Sequence, residues 1–421
     1  MPDVRPVKLS ASDPDLGRFI RAGDGVVWGQ ACAEPTALVD AFLRAAPEIG
    51  ALSAFLGLSW RDFTGRIPDC VRLVSYGALG RLGRLPNLNV VPCHFSALPR
   101  LFAERRLPGD VVLIQVSPPD GAGRCSLGVG VDYLSDALQH ARVVIAEVND
   151  HCPRSAGTAI AWERLDAVIH TSRPLLEAPA ARPGPTEARI AEHVAAIVED
   201  GDTIQLGVGA LPEAILSALS GHRELGIHSG MVSDGVLDLI EAGAVTNARK
   251  PADRWLTVTG AALGSRRLFE ALNVHEEIMF CPVSYTHAPG TLATVGRLAA
   301  INSAVEVDLT GQVNAERAGG RRLGAVGGQV DFLRAAAAHG GNSIIALPAK
   351  RIVARLDGPV STARSDVDWI VTEHGACSLR GLSETTRTEQ ILRVAGAERA
   401  ELLQQEQTDQ RPRTSNDRSR L

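Results

Sequence analysis

Lysine is nearly absent from this chain: Lys8, Lys250 and Lys350 are its only examples among 421 residues, and arginine carries the remaining positive charge. Acidic residues number 48 against 43 basic ones, a formal charge of −5, so no basic field exists to draw in nucleic acid or an anionic membrane surface. Aromatic residues are only 4% of the total, which leaves Ala, Leu and Val to fill the interior and favours layered α/β packing. No CxxC pair occurs. The seven cysteines (Cys32, Cys70, Cys93, Cys125, Cys152, Cys281 and Cys377) are scattered singly and odd in number, which excludes a disulfide framework and a zinc site and reads as reduced thiols. No stretch reaches about 18 apolar residues, and the first fifteen residues lack the apolar core of an export signal, so the expected location is cytoplasmic, with no membrane partner. Neither a Ser-His-Asp arrangement nor a metal-ligating cluster stands out, and Cys377 has no clear partner. Small-molecule chemistry is what these absences leave.

The length calls for two domains, since single cores rarely extend beyond roughly 100–200 residues. Apolar runs of strand length recur at 111–116, 143–148, 167–170, 203–206, 343–347 and 369–372, separated by helical stretches. That alternation predicts buried, largely parallel strands with covering helices. Four prolines crowd the segment 173–187, RPLLEAPAARPGPTE, which can neither continue a helix nor join a central strand. The expected domains are therefore 1–180 and 186–400, with the polar, charged segment 404–421 as a disordered tail.

A weak internal repeat links the halves. Gly23-Asp24 leads through an apolar strand to Gly29 and then to Glu34-Pro35-Thr36, and Gly201-Asp202 leads through Ile204 to Gly207 and then to Leu211-Pro212-Glu213. Both read as strand, glycine turn and a helix opening near proline.

Two glycine-rich elements follow. In the turn Gly207-Val208-Gly209-Ala210-Leu211, backbone amides can approach a phosphate at the positive end of a helix, or the turn is simply a tight βα connection. The third glycine of a dinucleotide fingerprint is missing. The run Gly324-Ala325-Val326-Gly327-Gly328-Gln329 precedes an alanine-rich helical stretch and reads either as an anion nest or oxyanion hole, or as a helix-leading turn.

Eight blocks in order carry a family resemblance: VPCHFSALPRLF at 91–102, LIQVSPPDGAGRCSLGVGVDY at 113–133, VIAEVN at 144–149, LGVGALPEAI at 206–215, LGIHSGMVSDGVLDLIEAGAVTN at 225–247, INSAVEVDLTGQVNAE at 301–316, VGGQVDFLRAA at 326–336 and DVDWIVTEHGACSLRG at 366–381. Together they resemble the acetyl-CoA hydrolase/transferase family, including its 4-hydroxybutyrate CoA-transferases. The resemblance implies two CoA-transferase-type open-sheet α/β domains with the active site in the cleft between them. It also implies coenzyme A or acyl-CoA as substrate beside a small-molecule acceptor, no metal, and by analogy a homo-oligomer.

In that family a glutamate attacks the thioester and forms a mixed anhydride. Released CoA thiolate opens the anhydride to a glutamyl-CoA thioester, and an incoming carboxylate reverses the sequence. The glutamate is expected as the third residue of a His-Ser/Thr-Glu-Met block. Here the block is His228-Ser229-Gly230-Met231, so the nucleophile position falls on Gly230. The alternative placement is Glu306 in SAVEVD. The resemblance also implies CoA contacts from Gly207, Val208, Gly209, Ala210, Leu211 and Lys350, and amides of Gly327 and Gly328 facing the thioester carbonyl. Ala325 departs from the family's GxGGQ run, so a reshaped oxyanion loop is expected.

Other polar residues have plain alternatives. His94 and His228 read as packed histidines or site groups. Asp234 reads as a substitute base or as the N-cap of a helix at 236–242, and Glu34 and Gln115 as pocket groups or as cap and turn residues. Three functions stay open: direct acyl transfer or hydrolysis without a glutamyl intermediate, with an amine, alcohol or carbon nucleophile as acceptor in one variant; a silent CoA-binding scaffold; and an ordinary carboxylate CoA-transferase using Glu306.

Overall fold

The computed structural model describes residues 6–409. In the first half the strands are β1 (Val7–Lys8), β2 (Gly25–Trp28), β3 (Leu52–Phe55), β4 (Val71–Ser75), β5 (Asn89–Val90), β6 (Val111–Val116), β7 (Val143–Asn149) and β8 (Ala167–Thr171). They form one sheet in the order β1-β8-β7-β6-β2-β3-β4-β5, with every pairing parallel. All residues of β6 and β7 are buried. Both faces of this sheet are covered at β6 and β7, which is why 111–116 and 143–148 appear in the sequence as near-continuous apolar runs, broken only by Gln115 and Glu147, instead of alternating patterns.

In the second half β9 (Thr203–Leu206), β10 (Gly226–Ile227), β11 (Leu298–Asn302), β12 (Asn342–Ala346), β13 (Trp369–Thr372) and β14 (Gly375–Ser378) form a second sheet in the order β10-β9-β11-β12-β13-β14. Only β14 runs antiparallel. Five neighbouring strands of the first sheet, β8-β7-β6-β2-β3, thus correspond in order to β13-β12-β11-β9-β10 of the second. The two Gly-Asp turns of the sequence repeat occupy equivalent places. Asp24 accepts the amide of Arg21 at 2.7 Å, and its carbonyl receives Ser53 of β3 at 3.1 Å; Asp202 accepts the amide of Glu199 at 2.9 Å, and its carbonyl receives Gly226 of β10 at 2.9 Å. Each turn leads through its strand to a helix, α1 (Thr36–Ile49) after β2 and α2 (Ala210–Ala218) after β9.

Neither helix nor strand occurs from 172 to 184. The last of the four prolines does not lie in that connection: Pro185 opens the helix Pro185–Ala195, where its missing N–H is no loss, and Glu187 reaches back to the amide of Gly184 at 2.9 Å. The halves also interlock. Ala156–Gly157 pairs in parallel with Ile278–Phe280, and one apolar cluster contains Val148, Ile204 and Phe280 alike.

The first six residues of the expected tail, 404–409, are helical and not disordered. The helix Ala397–Asp409 continues to residue 409 and is anchored by the fully buried Leu403; the rest of the tail, 410–421, lies outside the described residues. Glutamate and glutamine propagate a helix well, so polarity alone did not forbid one.

Candidate active site

A cavity of about 280 Å³ opens where β9, β11 and β12 end. Ligand crevices in open α/β sheets lie at these carboxyl ends. Gly207, Val208, Gly209, Ala210 and Leu211 form one wall, and Asn302 and Ser303 stand among the residues opposite. Gly209 caps α2 at φ 121°, a backbone state that side chains with a β-carbon resist. Pro212 falls in the first turn, where an amide would have no intrahelical acceptor anyway. A β-carbon on Gly207 would meet nothing within 4 Å, so this glycine leaves open space along the backbone.

The second glycine-rich loop crosses to the first half. Gly324 O accepts from Ala78 N at 2.9 Å and Gly327 O from Phe95 N at 3.0 Å, with bridges joining Gly77 to Ala325 and His94 to Gly327. Asp331, in the first turn of the helix that follows, accepts from Ser96 N at 3.1 Å and Ser96 Oγ at 2.7 Å. The methyl group of Ala325, expected to reshape this loop, is accommodated without a positive φ. It fills the space where a β-carbon on Gly77 would stand, while the positive φ of the loop, 58°, falls on Gly327. Gly327 meets the first half through its carbonyl, which accepts from Phe95, and its bridge to His94. Among the described residues the amide of Gly328 donates to no backbone acceptor.

Gly230 lies three residues beyond the end of β10: Ser229 Oγ donates to Leu206 O at 2.9 Å, which sets Gly230 beside the end of β9. The space next to it is filled by His287, which no sequence motif had singled out. A β-carbon on Gly230 would lie 2.8 Å from His287 Cε1 and 3.0 Å from Nε2, and one on Gly328 would lie 2.5 Å from Nε2. The ring is therefore wedged between two glycines, one beside the turn and one on the loop. Phe95 packs on it at 4.9 Å and Phe332 at 4.7 Å between ring centres. Its Nδ1 lies 2.8 Å from Thr286 Oγ1. Burial, with His228 nearby, pushes the His287 pKa down to about 3, so the ring is neutral.

The other candidates divide plainly. Glu306 begins the short strand Glu306–Asp308 and accepts from Asn314 Nδ2 at 3.0 Å; no hydrogen bond joins it to Gly230, His287 or the loop among the described residues. Lys350 is exposed in the turn Ala349–Arg351 beyond β12. His228 is fully buried, with Nε2 donating to Thr286 O at 3.0 Å and Nδ1 sealed without a partner; Nδ1 of His94 is sealed likewise. Asp234 is not the expected N-cap. Ser233 holds that position in the helix α3 (Asp234–Glu241), and the Asp234 carboxylate instead binds Ser265 at the start of the next helix, at 2.8 Å to N and 2.6 Å to Oγ. Glu34 pairs with Arg61 at 2.7 Å, and Gln115 accepts from Asn149 and Arg173, so both belong to buried networks. Asp132 was missed: its backbone amide donates to Gly260 O, and Gly260 N donates in turn to Gly230 O at 3.2 Å. Burial raises its carboxyl to about 6 despite a 2.6 Å hydrogen bond from Gln30. Among the described residues no group of three His, Cys, Asp or Glu is placed to hold a metal, and no helix is long and apolar enough to cross a membrane.

The sequence and fold are similar to known proteins. Residues 87–178 match the acetyl-CoA hydrolase/transferase N-terminal domain and residues 264–407 its C-terminal domain. The chain is 40% identical to the 4-hydroxybutyrate coenzyme A transferase of Clostridium kluyveri over 326 residues, 75% of this chain and 76% of that protein. RipA from Yersinia pestis superposes with a TM-score of 0.89 at 35% identity, covering 96% of this chain and 97% of the other. The 4-hydroxybutyrate CoA-transferase structure from Porphyromonas gingivalis gives 0.80 at 33% identity with the same coverage. With both family domains matched in order and 40% identity to a relative over three quarters of the chain, this chain belongs to the acetyl-CoA hydrolase/transferase family.

Proposed function

We propose that the protein consumes a coenzyme A thioester by transferring its acyl group directly to a second substrate, or to water, without a glutamyl-enzyme intermediate. The observation that carries this reading is at Gly230: where the family resemblance puts a carboxylate nucleophile there is no side chain, and the adjoining space holds an imidazole and no acidic group. Covalent storage of the thioester as an acyl-glutamyl anhydride requires a carboxylate, which glycine lacks. The parts that bind a thioester do not depend on that carboxylate. The turn Gly207-Val208-Gly209-Ala210-Leu211 offers open backbone at the positive end of α2 for a CoA phosphate, and the amide of Gly328 is free for a developing oxyanion. Lys350 is exposed just beyond β12 and adds a cation for CoA. The named activities of the relatives, coenzyme A transfer among them, support acyl-CoA as the substrate class.

The test is to incubate the protein with acetyl-, butyryl- and hexanoyl-CoA, follow thioester loss at saturating enzyme, and examine intact mass after borohydride reduction. Thioester loss with no adduct is expected. A reducible adduct at Glu306 or Glu213 would restore the ordinary carboxylate mechanism. No thioester loss with any acceptor would leave a CoA-binding scaffold.

A further inference from the structure

We infer that His287 is the catalytic base of this site, serving a protic acceptor (water, an alcohol or an amine) and not a carboxylate. The inference rests on the direct-transfer reading above and adds the residue and the acceptor class.

Position comes first. Nε2 lies 2.5 Å and 3.0 Å from where β-carbons on Gly328 and Gly230 would stand, so the imidazole occupies this spot only because both neighbours are glycine. Gly230 is thus more than a lost glutamate: it makes room for a different functional group. The ring is held from both halves, by Phe95 of the first and Phe332 of the helix α4 (Gln329–Ala338) of the second. Such clamping fixes the direction of Nε2.

The base role sets the tautomer. Thr286 Oγ1 lies 3.2 Å from Pro282 O and 2.8 Å from His287 Nδ1, and with its one proton on Pro282 O it accepts from Nδ1. In that tautomer Nδ1 carries the ring proton and Nε2 keeps its lone pair. Nε2 makes no hydrogen bond among the described residues, yet it is not sealed off as the Nδ1 atoms of His94 and His228 are. The unpaired acceptor sits beside Gly328, whose amide is an unpaired donor. Together they supply what addition to a thioester needs, a base for the incoming proton and a donor for the oxyanion.

The step balances without any further reagent. The acceptor's O–H or N–H proton passes to Nε2 as its lone pair forms a bond to the thioester carbon, and the carbonyl π electrons move to oxygen facing the Gly328 amide. Collapse breaks the C–S bond, and the leaving thiolate takes the proton from Nε2. The products are the acylated acceptor and free CoA thiol. The oxyanion beside the ring offsets the desolvation that keeps imidazole neutral, so the proton moves in the transition state and not before it. A carboxylate acceptor has no proton to give up and gains nothing from this base.

The experiment uses the full chain with acetyl-, butyryl- and hexanoyl-CoA, with water, hydroxylamine and labelled acetate as acceptors. Thioester loss to water or hydroxylamine is expected, with no label entering the CoA thioester from acetate. His287→Ala is expected to lower the rate about 100-fold or more while CoA affinity holds, and free imidazole, fitting the cavity between two glycines, restores about tenfold. Should His287→Ala fail to fold, His287→Gln and Thr286→Val carry the test, Thr286→Val lowering kcat with KM unchanged. A wild type that consumes no thioester overturns the direct-transfer reading itself. A wild type that turns over while His287→Ala, or His287→Gln in its place, keeps its rate overturns only the base. Acetate exchange at a rate matching hydrolysis overturns the acceptor class.

Discussion

His287 Nε2 lies 3.0 Å from the point where a β-carbon on Gly230 would project, and Cε1 lies closer still, at 2.8 Å. Real β-carbons do not tolerate the shorter distance, so any side chain at 230 must displace a ring that Phe95 and Phe332 hold on two sides.

Gly230→Glu alone is therefore expected to destabilise the fold by about 1–3 kcal/mol, the usual range for overpacking, and to create no CoA exchange. Adding His287→Ala vacates the space. The double variant is expected to exchange labelled acetate with acetyl-CoA and to yield a borohydride-reducible adduct at residue 230. Exchange by the single variant with an unchanged melting temperature would show that the ring moves freely.

Gly207 and Gly209 separate binding from stability. Gly207 has open space and no positive φ, so Gly207→Ala is expected to shift stability by less than about 0.5 kcal/mol while weakening CoA binding measured by calorimetry. Gly209→Ala forces a β-carbon onto φ 121° and is expected to cost about 1–3 kcal/mol in urea denaturation. Unaltered CoA affinity in Gly207→Ala would remove the turn from the binding site.

The sheets were legible because their strands are buried on both faces. Residues 111–116 and 143–148 are apolar apart from Gln115 and Glu147, and the structure places β6 and β7 there. Strand β12 runs from Asn342 to Ala346, one residue earlier at each end than the run 343–347, because apolarity does not mark where pairing with the neighbouring strand begins. The glycine turn and loop were legible as motifs. His287 was not, because it stands 57 residues from Gly230 in the chain and lies in a loop outside the blocks that carry the resemblance; only the approach of Val283–Thr286 and its following residue to the loop 324–328 joins them. Asp132 was quoted within a block but hidden by its role, since its backbone reaches Gly230 only through Gly260. The helix Ala397–Asp409 was missed by weighing hydrophobicity above helix propensity.

The pair Ser96 and Asp331 holds the glycine-rich loop 324–328 against the first half. Burial raises the Asp331 carboxyl, and the hydrogen bonds from Ser96 oppose that rise. Ser96→Ala removes the 2.7 Å bond and leaves only the 3.1 Å amide contact. A loss of about 1–3 kcal/mol is expected, with a fall in kcat and no change in CoA affinity. A weakened affinity with kcat intact would place the loop in binding and not in the chemical step.

Acid stability offers an independent check on the neutral ring. Burial holds the His287 pKa at about 3 and the His228 pKa at about 4, both below the ordinary value of 6.5; His228 also feels Lys250 and, in the opposite sense, Asp253. Below pH 6.5 the unfolded chain binds protons that the folded chain refuses, so the contribution of each histidine is complete above that pH and is lost as pH falls toward the folded value, by up to about 1.4 kcal/mol per unit. Asp132, raised to about 6, acts in the other direction, because between its ordinary value of 3.8 and 6 the folded state binds more protons. Glu34 and Glu213 are raised by burial as well, so the total stability curve mixes opposing slopes. The difference between wild type and His287→Asn isolates one group. From pH 6.5 to 4.5 the stability of the wild type relative to this variant is expected to fall by roughly 2–3 kcal/mol in urea titrations. A difference independent of pH would mean that His287 titrates normally in the folded protein, and hence that water reaches the ring far more freely than its 3% exposure allows.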